Sequence, residues 1–291
     1  MLEVTSELIV KIFMTGLFLG GTYTLLSVGL TLIAGILRVI NFAHGALLMM
    51  AMYTTFWLFT LFNIDPFLSL IITVPLFFLV GMGVQKVLIS PLKTVENQVL
   101  VTFAFAMLLE SIALFFWTAD YRSLLTPFAD INLRFHYVSL SLLRLLMIMV
   151  ALAVAYGLHL FITRTRVGKG IWALAQDPEV AMLMGINIHW LRLFTFGLGI
   201  ALVAITGSLL AQLLYIYPGF GLRFIIICFV IVVLGGFGSI GGAVFGSFVI
   251  GFTEVFTTVF IGAGYAEMMA FLIFIFILVF KPSGLFGKVK V

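Results

Sequence analysis

Long apolar stretches dominate the sequence and recur along its whole length. About 20 apolar residues in a helix match the thickness of a bilayer's hydrocarbon core. Strands of a transmembrane barrel would instead alternate in polarity over about ten residues, and these stretches do not alternate. The pattern therefore predicts membrane-spanning helices. The predicted apolar segments are 8–34, 42–61, 67–84, 99–117, 142–162, 193–217, two within 224–260, and 268–280.

The apolar run 224–260 is too long for one span, and the glycine-rich stretch 235–242 interrupts it. It predicts two short helices, numbers seven and eight in the chain. They are either half-helices of the kind that transporters place near the middle of the membrane or helices joined by an ordinary tight cytoplasmic turn. The fold class expected is all-α: a polytopic integral membrane protein with eight or nine transmembrane helices, including glycine-interrupted half-helices. Residues 1–291 form one transmembrane domain.

The composition excludes several other classes of protein. Hydrophobic residues make up 64% and charged residues 9% of the chain, whereas soluble domains carry about 25% charged residues, so membrane lipid is the expected solvent. The net charge of +4 is scattered between apolar runs rather than gathered in a stripe, which argues against nucleic acid as a partner. The single cysteine, Cys228, allows no disulfide within the chain.

Lysine and arginine positions predict the orientation, because cytoplasmic loops carry an excess of them. The N-terminus has acidic residues and no basic n-region, so the first segment is expected to remain as a span. With nine spans, an external N-terminus and a cytoplasmic C-terminus, ten basic residues fall in cytoplasmic segments and five elsewhere. The ten are Arg38, Lys86, Lys93, Arg164, Arg166, Lys169, Arg192, Lys281, Lys288 and Lys290. The loop 118–141, with Asp120 and Asp130, then faces outward.

The hydrophilic segment 163–192 is expected on the inner face. It is shorter than the about 50 residues of a catalytic domain and is expected to dock something. Asp177 suits an N-cap, Pro178 the first helical position, Glu179 the positive end of the helix dipole and Gly185 the C′ position. This two-turn helix either fits a groove on a partner or rests on the lipid headgroups.

Polar residues near apolar runs have functional and structural interpretations. Asn41, His44 and Gly45 lie where irregular backbone at membrane depth would mark a transport path, or Asn41 caps the second span with His44 in its first turn. Glu110 is taken as the one carboxylate well inside a span, as a proton or substrate site or as a structural hydrogen-bond partner. Gly16 and Gly20 permit close helix packing, expected within the subunit.

Residues 236–241 match G-x-G-x-x-G, the dinucleotide-binding fingerprint. That fingerprint requires a soluble βαβ unit and an acidic residue about 20 positions on, and the sequence provides neither. We therefore reject a nucleotide site here.

Three motifs resemble those of a known family. Glu179, Ala181 and Gly185 resemble the Glu-Ala-Ala…Gly coupling motif of ABC import permeases. The stretches 29–35 (GLTLIAG) with 39–46 (VINFAHGA), and 233–243 (VLGGFGSIGGA), look like signatures of the high-affinity branched-chain amino acid permease family. The resemblance covers nearly the whole chain.

The resemblance implies a permease subunit of an ATP-binding-cassette importer for branched-chain or related amino acids in the cell (inner) membrane. It implies two cytoplasmic ABC ATPase subunits, a second homologous permease (the same or a different chain) and an extracytoplasmic substrate-binding protein. No cofactor, metal or catalytic residue is expected. Asp177–Gly185 would couple to the ATPase. The residues expected along the substrate path are Asn41, His44, Gly45, Gly236, Gly238 and Ser239.

Other functions stay open on the sequence. Related permeases handle urea or short amides, which are rival substrates. A stand-alone channel or an ion-coupled carrier is the alternative from another class, although carriers usually show charged pairs inside the membrane. An enzyme is not expected, because no G-x-S-x-G, H-E-x-x-H or P-loop motif occurs.

Overall fold

The computed structural model describes residues 6–92, 94–124, 126, 131–135 and 138–287. This part of the chain is built almost entirely of α-helices. A π-helical turn extends α1 to Leu37 and another extends α3 to Ile89, and a 3₁₀ turn precedes α11. The helices are α1 Ser6–Leu32, α2 Ala43–Phe62, α3 Pro66–Val84, α4 Val95–Trp117, α5 Leu142–Arg164, α6 Arg166–Gln176, α7 Pro178–Leu183, α8 Ile188–Leu210, α9 Phe220–Gly235, α10 Ile240–Phe260 and α11 Ala266–Phe280.

Among the described residues, eight helical stretches are long and apolar enough to cross a membrane, so the predicted all-α polytopic fold is confirmed. The chain breaks between α9 and α10, inside the predicted glycine-rich stretch. However, α10 has 21 residues and qualifies as a full span, whereas α9 has 16. A pair of short half-helices meeting in the membrane is therefore not shown and stays a prediction.

The loop after α4 contains the described β-structure. Strands β1 (Asn132–Phe135) and β2 (Val138–Ser141) form an antiparallel hairpin, a small departure from an all-α fold. Arg122 and Ile216 exchange backbone hydrogen bonds of 3.0 and 2.8 Å. The sixth apolar segment was predicted to stay helical to residue 217, and this was wrong: α8 ends at Leu210. Apolar periodicity does not report that the following backbone pairs with a distant loop.

Short polar side chains begin several of the helices, as the free N–H groups of a first turn require. The Asp65 carboxylate accepts the Phe67 N–H at 2.8 Å, and Asn187 Oδ1 accepts the Trp190 N–H at 3.0 Å. Thr165 and Ser239 cap α6 and α10 in the same way. These residues fix where the chain turns between spans.

Helix α1 lies at the centre and packs against α10, α5, α8 and α9. The rings of Phe252 and Phe248 on α10 fill the space where Gly16 and Gly20 have no side chain, since a Cβ on either glycine would lie 2.4 Å from a ring carbon. The predicted packing of this glycine pair within the subunit is confirmed. α1 and α10 run antiparallel, because Gly35 meets Gly238 at their other ends.

These contacts also fix which loops share a face. The turn before α10 contacts Gly35 at the end of α1 and Gly287 after α11. The start of α9 follows Ile216, which pairs with Arg122 after α4. The start of α1 and residue 287 therefore lie at opposite faces; which face is cytoplasmic stays a prediction. Lys93, Asp130, Lys288 and Lys290, used in the sequence-based topology, lie outside the described residues.

Candidate functional site

Helix α7 is capped at both ends by residues adjacent to it in the sequence. Asp177 Oδ1 accepts the N–H groups of Glu179 at 2.9 Å and Val180 at 3.2 Å, and Pro178 occupies the first turn. Gly185 has φ +81°, the left-handed conformation that favours glycine. The Gly185 N–H donates to Met182 O at 3.0 Å and the Ile186 N–H to Ala181 O at 3.2 Å, a Schellman motif. The predicted caps are confirmed, whereas the coupling role is a separate matter.

α7 turns its apolar side chains outward. Ala181 is 3% exposed and faces the protein, but Leu183 is 85% and Met184 78% exposed. Such an unpaired apolar surface marks a site for a protein partner or a membrane. Beside it lies a groove of about 510 Å³. Its lining is Pro178, Glu179, Met182, Ile186, Asn187, Ile188, His189 and Arg192.

The segment α6–α7 is joined to the spans by a hydrophobic cluster. Ile171 and Leu174 of α6 are buried with Leu191 at the start of α8, and Ile36 near the end of α1 belongs to the same cluster. Close-packed interiors transmit displacement because side chains cannot be compressed. Ile162 near the end of α5 belongs to this cluster too. A force on α7 would therefore be transmitted through packed side chains to the ends of α1, α5 and α8.

The chain between α1 and α2 folds back into the membrane region. His44 Nε2 donates to the Leu26 carbonyl at 3.1 Å. Leu26 lies eleven positions before Leu37, so the start of α2 lies about 16 Å back from the end of the α1 helical stretch at 1.5 Å per residue. Irregular backbone at such a depth must be covered by protein or line a wet cavity. Here Asn41 and Ala43 are buried within the protein.

The polar groups of this junction are only partly satisfied. Asn41 Oδ1 accepts the Ala43 N–H at 3.1 Å, but the N-cap of α2 is Phe42. The prediction of Asn41 as the N-cap is therefore wrong by one position, whereas His44 lies in the first turn of α2 as predicted. Within the described part of the chain, Asn41 Nδ2 and His44 Nδ1 are buried without a hydrogen-bond partner, as is the hydroxyl of Thr31 on α1. Unsatisfied buried polar groups are uncommon in native proteins, so a path role for Asn41 and His44 stays open.

The other path candidates lie elsewhere. Gly236 contacts Gly287, Gly238 contacts Gly35, and Ser239 Oγ accepts the Gly242 N–H at 3.0 Å. Gly35 is nine positions beyond Leu26, about 14 Å along α1. The structure therefore separates this turn from Asn41, His44 and Gly45 rather than bringing the two sets together. Gly45 lies instead in backbone contact with Gly221.

A charged cluster in the membrane region was not predicted from the sequence. The Glu254 carboxylate on α10, with 7% of its side chain exposed, accepts hydrogen bonds from Tyr23 Oη on α1 and Arg223 Nη2 on α9. Arg223 Nε lies 2.9 Å from Glu267 Oε1 on α11. The statement that Glu110 is the one carboxylate well inside a span was therefore wrong. Glu254 was not predicted because it lies near the end of a long apolar run. The signal that could have revealed an ion pair is Arg223, which directly precedes that run.

Glu110 itself is half-buried on α4 and forms no ion pair with the described residues. A metal site has no support in this part of the chain, where no group of three His, Cys, Asp or Glu side chains comes together.

The comparisons with known proteins now decide the family. The family described as "Branched-chain amino acid transport system / permease component" matches residues 12–278. The chain belongs to this family. It is 31% identical to the high-affinity branched-chain amino acid transport system permease protein BraD of Pseudomonas aeruginosa, over 95% of each chain.

Two other relatives agree. The corresponding LivH protein of Escherichia coli K12 is 27% identical over 95% of this chain and 94% of its own. The probable LivH of Methanocaldococcus jannaschii is 30% identical over 90% and 88%. No solved structure matches the chain significantly. The chain is thus a multi-pass membrane permease component rather than an enzyme.

Proposed function

We propose that this permease forms one half of the membrane channel of an ATP-driven importer for branched-chain amino acids in the cell (inner) membrane. The observation that carries the proposal is α7, a capped helix whose apolar side chains point away from the protein although the segment beneath it is firmly packed. The relatives named for branched-chain amino acid transport support the substrate class. Urea and short amides are the rival substrates.

The proposed partners follow from two features of the chain: it has no nucleotide-binding motif, and α7 exposes apolar side chains. Its sequence has no P-loop, so ATP would be hydrolysed on two cytoplasmic ATPase subunits, and α7 is the surface offered to them. A second permease, identical or homologous, would complete the channel, and an extracytoplasmic binding protein would deliver the substrate. In this arrangement the N-terminus is external and the segment 163–192 is cytoplasmic.

The coupling would be mechanical. When the ATPase subunits close, they would push on the surface formed by Leu183 and Met184. Because α6 packs through Ile171 and Leu174 onto α1, α5 and α8, the push would tilt these spans together. α1 also carries Leu26, the partner of His44. The motion would therefore reach the fold-back junction, which is the segment from the end of α1 to the start of α2. Asn41, His44 and Gly45 would line or gate the path, with Gly236, Gly238 and Ser239 at its inner end.

Uptake in vesicles with the ATPase subunits co-expressed tests the coupling. We expect Leu183→Asp, Glu179→Arg and Gly185→Trp to abolish leucine uptake and co-purification of the ATPase, while each permease stays folded. Pro91→Asp is the matched control, because it adds a carboxylate to an exposed position of the loop between α3 and α4. If none of the α7 variants weakened ATPase association, the docking role would be lost.

One observation favours an alternative, the ion-coupled carrier. Arg223 and Glu254 form a charged pair inside the membrane region, which is a common feature of carriers. The same vesicles distinguish the two: the importer needs ATP and the binding protein, whereas a carrier would accumulate leucine from an imposed proton or sodium gradient alone.

A further inference from the structure

The charged cluster lies within the depth of the bilayer core. Arg223 lies 12 positions before the end of α9, and Glu254 lies 14 positions after the start of α10. Tyr23 lies 14 positions before Leu37, where the α1 helical stretch ends. These helix ends share one face, so at 1.5 Å per residue all three side chains lie about 18–21 Å from it. The hydrocarbon core is about 30 Å thick. A charged side chain this deep is costly in lipid and marks a functional site by default.

Arg223 is not sealed within the subunit. The side chains of Arg223 and Glu267 are both about half exposed, at 53% and 54%, whereas that of Glu254 is buried. A guanidinium has five N–H donors, of which the contacts to Glu254 and Glu267 use two. The half-exposed guanidinium can therefore accept a further carboxylate, beside an exposed carboxylate that can accept an ammonium.

An apolar crevice opens next to this charge pair, between α9 and α11. Its volume is about 80 Å³, and its lining is Arg223, Ile226, Ile227, Val230, Glu267, Ala270 and Phe271. The space is several times that needed by one water, and it suits a single aliphatic side chain. Positive charge, negative charge and an apolar crevice at one point complement a zwitterionic aliphatic amino acid.

We propose that this crevice is a substrate subsite on the outer half of the path, an inference that rests on the proposed function. The substrate carboxylate binds Arg223, its ammonium binds Glu267 and its branched side chain enters the space between Ile226 and Ala270. Glu254 and Tyr23 act as positioning residues, since they hold the Arg223 guanidinium without reaching the crevice mouth. The subsite gives the permease a preference for aliphatic amino acids over urea and short amides, which lack both charges.

Protection of a cysteine tests this directly in the assembled complex. In a Cys228→Ser background, Ile226→Cys places one thiol in the crevice, where Ile226 is exposed. With L-leucine at about ten times its Kd, maleimide labelling should slow about tenfold, because only the unoccupied fraction reacts. Isovalerate, which lacks the ammonium, and isoamylamine, which lacks the carboxylate, should protect much less.

Phe256→Cys in the same background is the matched control. Phe256 lines a groove of about 370 Å³ on α10 that has no charged residue in its lining, so leucine should not protect it. Equal protection at both positions, or none at Ile226→Cys while leucine uptake is intact, would overturn the subsite and leave the importer standing. Absence of ATP-dependent uptake by the wild-type complex would instead remove the proposed function.

A phospholipid headgroup offers the same pair of charges as an amino acid. The labelling is therefore repeated in nanodiscs of phosphatidylcholine and of phosphatidylethanolamine. The subsite requires that leucine protects in both. Labelling that changes with the lipid and ignores leucine would assign the crevice to lipid and overturn the proposal.

Discussion

Gly45 at the start of α2 and Gly221 at the start of α9 meet backbone to backbone. A Cβ on either residue would lie 2.2 Å from the carbonyl oxygen of the other. This contact fixes the fold-back junction, which carries Asn41 and His44, against the helix that carries Arg223. The junction between α1 and α2 and the charged cluster around Arg223 are therefore held at a fixed distance from each other.

Replacing either glycine should separate the two helices. We expect Gly45→Ala and Gly221→Ala to lower the free energy of unfolding by about 1–3 kcal/mol, the usual cost of overpacking, because a carbonyl oxygen cannot rotate away as a side chain can. Thermal melting in detergent measures the effect. Gly157→Ala in α5 is the control, since nothing lies within 4 Å of its added Cβ; equal melting temperatures for all three variants would contradict the contact.

The α7 cap makes a second prediction, which concerns coupling rather than stability. Asp177→Ala should weaken α7 by about 0.5–2 kcal/mol, as loss of an N-cap does, and the number of leucine molecules imported per ATP should fall. Asp177→Asn retains an acceptor for the Glu179 and Val180 N–H groups and should behave nearly as wild type. Melting of the permease should change little in both variants, because α7 lies at its periphery. Unchanged stoichiometry in Asp177→Ala would show that the preformed helix is not needed.

The charged cluster makes a third prediction, which a double-mutant cycle tests. Tyr23→Phe and Glu254→Leu should each destabilise the protein, by about 1–3 kcal/mol, since each removes the hydrogen bond from Tyr23 Oη to the Glu254 carboxylate and leaves the remaining group buried without that partner. Because both changes remove the same hydrogen bond, the double variant should lose less than the sum, with a coupling of about 0.5–3 kcal/mol. Tyr156→Phe, at an exposed position of α5, controls for loss of a hydroxyl. Strict additivity would mean that Tyr23 and Glu254 do not interact.

Sequence periodicity predicted the helices well because burial in lipid demands a continuous apolar surface and internal backbone hydrogen bonds. The boundaries of α2, α4 and α5 and the break before α10 followed from apolar run length and glycines. The end of α8 did not, since the Arg122–Ile216 pairing joins residues far apart in the sequence. Nor did the hairpin in the loop after α4, whose short strands have no long apolar signature.

In the candidate site, too, features set by neighbouring residues were predictable from the sequence and features set by long-range packing were not. Asp177, Pro178 and Gly185 were predictable because a cap acts on its own neighbours. The cluster of Tyr23, Arg223 and Glu254 was not, because its members lie on three different helices and only packing brings them together. The same holds for the separation of Gly238 from His44, which depends on how far the chain folds back after α1.

The relative placement of loops makes a final prediction, independent of transport. The contacts of Gly238 with Gly35 and of Arg122 with Ile216 place the α6–α7 segment and the Tyr121 and Tyr215 loops on opposite faces. From the positive-inside rule we predict that the α6–α7 face is the cytoplasmic one. In a Cys228→Ser background, cysteines at Met184 and Tyr215, both exposed, should label in opposite ways. An impermeant maleimide added outside intact cells should reach Tyr215→Cys, and it should reach Met184→Cys only in inverted vesicles. Labelling of Met184→Cys from outside would reverse the orientation and leave α7 unreachable for a cytoplasmic ATPase.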